Sequence, residues 1–358
     1  MSLRFGIEFV PDEPVNQIVN WSKIAESVGF DNIWITDHFN NRNLWVTLTA
    51  IALNTSKVTI GPGVTNPFHT SPALSAAAIV TIDELTEGRT AVGLGAGDRM
   101  TLETLGIQWN LPVTTVIEGI QILRKLINGE RVRFHGRVFD IRGAKLSHVK
   151  KEHQVDKDGK RILKDGKEVI SGRRIPIYAG AQGPMMLKKT ATLADGILTN
   201  ASHPKDIEIA MKLIKEGVNQ SGRDIKDLDI GAYTAFSIAD SYQDALKGDT
   251  KMVVAFIVAG SPSSVLERHS LNFEQCDAVK NALSEKRYGD LDSLITDEMI
   301  DAFAIVGDKE FCINRIHEME DVGVTHFIVG SPIGPDKRKA IEKIGKEIIP
   351  IFRERDYS

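Results

Sequence analysis

Three acidic residues and one histidine are placed where they can do chemistry. Glu8 interrupts the apolar run RFGIEF at positions 4–9. A carboxylate buried in such a run is costly unless it is paired or put to use. The use would be proton transfer by a carboxyl whose proton affinity burial has raised; the alternative is a structural ion pair. Asp37 and His38 directly follow the run NIWIT at 32–36, and Asp98 directly follows GLGAG at 93–97. Each also has a plain reading. Either aspartate suits a helix N-cap, and His38 suits an exposed loop.

Two glycine-rich stretches form a second group. GPGVTNP at 61–67 holds Gly63, Val64, Thr65 and Asn66 directly after an apolar run. Gly180, Ala181, Gln182 and Gly183 lie between an apolar run and Pro184. Pro in a first helical turn marks a helix start, and small residues before it let backbone N–H groups approach a phosphate. Glycine in a tight turn is the alternative.

No metal or thiol chemistry is visible. The other eight histidines, His69 among them, show no ligand spacing and are expected to be structural. Cys276 and Cys312 are far apart and suit two buried, reduced thiols of a cytoplasmic protein. GxSxG and HExxH are absent.

The elements that position these residues alternate. Apolar runs at 4–9, 32–36, 58–61, 90–95, 175–179, 196–199, 228–234 and 325–329 predict strands. Amphipathic stretches at 14–28, 44–54, 72–85, 115–128, 184–193, 204–220, 309–321 and 337–352 predict helices, with a mainly helical stretch over 244–303. Strict alternation means parallel strands covered on both faces. A closed (β/α)8 TIM barrel and an open doubly wound sheet both satisfy it. About eight units, with no GxGxxG after the first strand and no Walker A motif, favour the barrel as a single domain over 1–358. In a barrel the residues that follow the strands share one rim, so Glu8, Asp37, His38 and Asp98 would converge.

One segment breaks the alternation. Residues 145–174 are charged, predominantly basic, and carry turn signals at 157–159 and 164–166. They read as a polar hairpin insertion, either without a role or acting as a basic flap over an anionic ligand.

Composition sets outer bounds. The chain has 358 residues, 42% hydrophobic and 26% charged, with 44 Lys+Arg against 48 Asp+Glu for a net charge of −4. These are globular values with no broad basic field, so nucleic acid is not an expected partner. No apolar run approaches ~18 residues and no signal peptide is visible, so no membrane partner is expected either.

At these same residues the chain resembles a known family, the luciferase-like barrels, and within them the coenzyme F420-dependent methylenetetrahydromethanopterin reductases. The matching stretches are FGIEFVPDEP (5–14), WITDHFNNRN (34–43), IGPGVTNPFHTSP (60–72), GLGAGD (93–98), PIYAGAQGPMMLK (176–188), VAFIVAGSP (254–262), AFAIVGDKEF (302–311) and GVTHFIVGSPIGPDK (323–337). The resemblance covers nearly the whole chain and departs chiefly at 145–174. It implies coenzyme F420 in the barrel mouth and a pterin substrate. It also implies a homo-oligomer, a dimer or a tetramer. A non-prolyl cis peptide at Gly63–Val64 would back the deazaflavin ring. Asp37, His38, Thr65 and Asn66 would line that ring, and Gly180 to Gly183 would hold the phosphate. Reduction of the bridging methylene needs a proton on the nitrogen it leaves, which points to Glu8 first and Asp98 second as the acid. The alternatives are an F420-dependent alcohol or sugar-phosphate dehydrogenase with His38 as base, an FMN-dependent monooxygenase, and a flavin-binding barrel without catalysis.

Overall fold

The computed structural model describes residues 2–153, 159–164, 167–168 and 170–353. Eight parallel strands form the barrel: β1 (Arg4–Phe9), β2 (Asn32–Ile35), β3 (Thr59–Pro62), β4 (Val92–Leu94), β5 (Ile177–Gly180), β6 (Gly196–Asn200), β7 (Asp229–Ile238) and β8 (His326–Ile333). Their spatial order is 3-2-1-8-7-6-5-4. The ring closes between β3 and β4 through parallel bridges at Ile60–Thr90 and Thr65–Leu94. Alternation within each strand explains the two cores. Phe5, Ile7, Ile33, Ile35 and Ile177 face the outer helices, while Trp34, Ala91, Tyr178, Leu198 and Ile328 fill the lumen.

The barrel floor is polar. Asp229 accepts from the Tyr178 hydroxyl at 2.8 Å, from Thr325 Oγ1 at 2.6 Å and from His326 Nδ1 at 3.1 Å, and it pairs with Arg4. These donors hold its carboxyl well below the usual carboxylate range, against the opposing effect of burial.

A ninth strand, Ala304–Gly307, was not anticipated. It pairs with Ala235–Ile238 of β7, above the point where the β6 pairing ends at Asn200–Tyr233. The helical stretch before it carries its own core, which includes Val254, Val258, Cys276 and Met299.

The basic segment is a set of antiparallel strand pairs, as its turn signals suggested, although residues 157–158 and 165–166 of those turns lie outside the described residues. Its place overturns the flap reading. It follows helix Pro112–Ile127 and precedes β5, and a connection from helix to strand lies at the N-terminal end of a barrel, opposite the catalytic rim. Its base is tied there: Gly172 N–H donates to Asn128 O at 3.1 Å. Arg173 reaches Asp83, near the end of helix Pro72–Thr86, at 3.6 Å. The preceding hairpin, Val132–His135 with Asp140–Ala144, is held by Glu118, whose carboxylate accepts the N–H groups of Arg137, Val138 and Phe139.

Candidate active site

Two bulges shape the barrel mouth. From Ile60 to Thr65 the β3 side takes five steps while Thr90 to Leu94 takes four, so one residue is extra. The surplus is the segment around Gly63–Val64, and that peptide bond is cis. Glycines make room for it. A Cβ on Gly93 or Gly95 would stand 2.7 or 2.6 Å from a Val64 methyl, and one on Gly180 would stand 3.2 Å away. Val64 thus sits in a cradle built from β4 and β5, and Gly63 and Val64 remain partly exposed at the mouth.

The second bulge lies in β8. Ala235 pairs with Gly330 and Phe236 with Pro332, which leaves Ser331 unpaired; the Ser331–Pro332 bond is cis. The freed Ser331 N–H donates to Glu8 Oε2 at 3.0 Å. Gly330 gives Glu8 its space, since a Cβ there would meet Glu8 Oε2 at 2.8 Å and Thr234 O at 2.2 Å. Glu8 is 8% exposed and has no ion-pair partner among the described residues. Burial raises its carboxyl to about 7; the Ser331 N–H and Lys337 favour the anion and Asp12 opposes it.

Asp37 follows β2 and is held in place. The Thr65 hydroxyl donates to its Oδ2 at 2.6 Å, and His69 Nε2 lies 3.3 Å from the same oxygen. His69 was expected to be structural and instead belongs to this cluster; its Nδ1 contacts Thr70 Oγ1 at 2.7 Å. His38 is exposed at the rim. The surrounding protein lowers its proton affinity, and Asp37 and Asp98 act in the opposite sense.

Several expected ligand contacts take a supporting place. Thr65 has no exposed surface and acts through Asp37. Asn66 is buried, with Oδ1 accepting from the N–H groups of Phe68 and His69. Asp98 is the N-cap of helix Arg99–Thr104, its Oδ2 accepting from Thr101 N at 2.7 Å, so the plain reading describes it. The Ala181 N–H is spent on Leu198 O. Gln182 and Gly183 are exposed, however, and helix Pro184–Ala191 starts at Gly183 without a side-chain cap. A Cβ on Gly183 would meet nothing within 4 Å, so the helix start is open at that residue.

Two groups escaped sequence reasoning. Thr36 Oγ1 and the Tyr233 hydroxyl are buried without a hydrogen-bond partner among the described residues. Thr36 continues the alternation of lumen-facing Trp34, and Tyr233 packs against the lumen cluster, so only alternation along β2 and β7 would have flagged them.

A parallel barrel with a bulged, cis-peptide third strand and a buried acid at the first strand's end defines the class. The chain belongs to the luciferase-like monooxygenase family, whose model matches residues 3–326. More particularly, it is 46% identical to the 5,10-methylenetetrahydromethanopterin reductase of Archaeoglobus fulgidus, over 97% of this chain and 99% of that protein. Identity to the reductase of the same name from Methanolobus tindarius is 44%, over 97% and 100%. The solved coenzyme F420-dependent tetrahydromethanopterin reductase of Methanopyrus kandleri aligns at a TM-score of 0.88 with 38% identity, covering 98% of this chain and all of that one.

Proposed function

We propose that the protein is a coenzyme F420-dependent 5,10-methylenetetrahydromethanopterin reductase, yielding 5-methyltetrahydromethanopterin in a reversible reaction. Full-length identity to the reductases supports the activity. The observation that carries the mechanism is Glu8, a buried carboxyl at the rim that stays protonated up to about pH 7.

The mouth suits a flat coenzyme with an anionic tail. The cis segment at Gly63–Val64, backed by glycines, offers a partly exposed wall without bulky side chains. The uncapped helix start at Gly183 offers N–H groups and the positive end of the helix to a phosphate. Asp37, fixed by Thr65 and His69, and the neighbouring His38 bound the wall on the β2 side. The coenzyme supplies the hydride when bound.

The chain's own residues do the rest. Glu8 gives its proton to the pterin nitrogen from which the methylene bridge detaches, so the bridging carbon becomes the hydride acceptor. A carboxyl near pKa 7 is matched to that task, because it is still protonated at working pH and yields its proton readily. Ser331 N–H, fixed by the β8 bulge, stabilises the carboxylate left behind. The remaining contribution is positioning of the two reacting carbons by the rigid rim.

The test is oxidation of reduced coenzyme F420 by the purified protein with and without methylenetetrahydromethanopterin. Pterin-dependent turnover is expected, and its loss in Glu8→Gln with coenzyme binding retained. Turnover with a secondary alcohol or sugar phosphate in place of the pterin would overturn the reading.

A further inference from the structure

Helix Pro204–Ser221, which follows β6, is capped by an imidazole. His203 Nδ1 accepts from the Lys205 N–H at 3.2 Å. That bond fixes the tautomer: Nδ1 must offer its lone pair, so the proton of the neutral ring sits on Nε2. Nε2 has no hydrogen-bond partner among the described residues and faces Asp301 Oδ2, 3.9 Å away. Asp301 belongs to helix Asp297–Phe303. Its other oxygen already accepts from Arg315 Nη2, on helix Lys309–Asp321, at 2.6 Å. His203 and Asp301 both line a cavity of about 300 Å³. The ring thus has two alternative partners on two elements, with open space beside both.

We propose that His203 is a proton-operated switch at the barrel rim: neutral, it caps helix Pro204–Ser221; protonated, it releases the cap and pairs with Asp301. The proton comes from solvent and binds Nδ1. Two N–H donors then face each other where the capping bond was, so that bond breaks. The new cation also stands at the positive end of an 18-residue helix, which repels it. Asp301, with Oδ2 still free, takes the ring through a charge-assisted hydrogen bond. The charged groups around the ring set where the switch operates. Burial holds His203 below the ordinary imidazole range, Arg315, His269 and Lys205 act in the same sense, and Asp301 opposes them. His269 stays in place, edge-on to His203 at 5.1 Å, because Asp206 accepts from its Nε2 at 2.9 Å. Asp297 and Glu298 border the same cavity and carry the same charge as Asp301. With its proton affinity lowered from the ordinary 6.5, His203 favours the capped state fully above about pH 6.5 and progressively less as pH falls below it.

Hydrogen–deuterium exchange of the full-length protein tests the switch, with rates corrected for the intrinsic pH dependence of exchange. From pH 8 to pH 5, protection of the first turn of helix Pro204–Ser221 is expected to fall about fivefold, the factor that a typical N-cap carries. The start of helix Phe273–Ser284, capped by Asn272, is the internal reference and should keep its protection. In His203→Asn, which caps without titrating, protection at the switch should stay within about twofold over the same range. In Asp301→Asn the fall should move to lower pH, because the group that favours the cation is gone. Should either variant fold poorly, the two helix starts of the parent still decide. Protection at the switch that does not change with pH, or that falls no more than the reference does, overturns the proposal. So does a fall in His203→Asn equal to that of the parent.

Discussion

Replacing Glu8 by Gln should stabilise the protein, and the gain should depend on pH. Glu8 has no ion-pair partner among the described residues, and burial raises its carboxyl from the ordinary 4.5 to about 7. A raised folded-state pKa means that folding takes up a proton between those two values. Stability is then full below about pH 4.5, falls as pH rises, and is fully lowered above about pH 7. At about 1.4 kcal/mol per pH unit, the interval is worth roughly 3 kcal/mol. Gln has the same shape, accepts from Ser331 N–H and does not titrate. The difference in unfolding free energy between Glu8→Gln and the parent should therefore grow by roughly 3 kcal/mol from pH 4.5 to pH 8. Urea unfolding of both proteins at several pH values, with m-values checked for constancy, measures it. A difference that stays flat with pH would show that Glu8 titrates in the folded protein as it does unfolded, and the acid role would fall with it.

Three further outcomes follow from the same geometry. Gly95→Ala puts a Cβ 2.6 Å from Val64 Cγ2, so Val64 must leave its cradle. Overpacking of this kind costs ~1–3 kcal/mol, and coenzyme affinity by titration should fall about tenfold; unchanged affinity would remove the bulge from the binding wall. Deleting residues 147–172 and closing the gap with a short Gly-Ser linker should leave coenzyme affinity within about twofold, because the segment is anchored at the opposite end of the barrel. A large loss would bring the flap reading back. Asp98→Ala removes an N-cap and should loosen helix Arg99–Thr104 by ~0.5–2 kcal/mol, read by hydrogen exchange. The alkaline limb of kcat should stay where Glu8 puts it, and a shift in that limb would return Asp98 to the list of acids.

The alternation of apolar runs with amphipathic stretches was enough to find the eight barrel strands, because strands buried on both faces read as short continuous apolar runs wherever they occur. Strand Ala304–Gly307 was hidden because it follows helix Asp297–Phe303 with no turn residue between them. Helix Arg99–Thr104 is a single short piece with no apolar period to read. Glu8 was legible as a charge in an apolar run. Its Ser331 partner was not, since it depends on a bulge that pairs residues more than 300 positions apart. The place of the basic segment was legible in principle: a segment that precedes a barrel strand sits at the floor, whatever its charge. Gly180 and Ala181 show how composition misleads. One is small to admit Val64 and the other has its amide in the sheet, so of the four only Gln182 and Gly183 are exposed. His69 carries no local signal at all, and Thr36 and Tyr233 were marked only by alternation along β2 and β7.

Hydride transfer from the coenzyme to the bridging carbon is the central claim, and isotope tracing reaches it directly. Reduced coenzyme F420 carrying deuterium at its transferring carbon is incubated with the protein and methylenetetrahydromethanopterin, and the product's methyl group is examined by mass spectrometry. One deuterium in that methyl group is the predicted result. A methyl group without label, formed while the coenzyme is oxidised, would contradict the account.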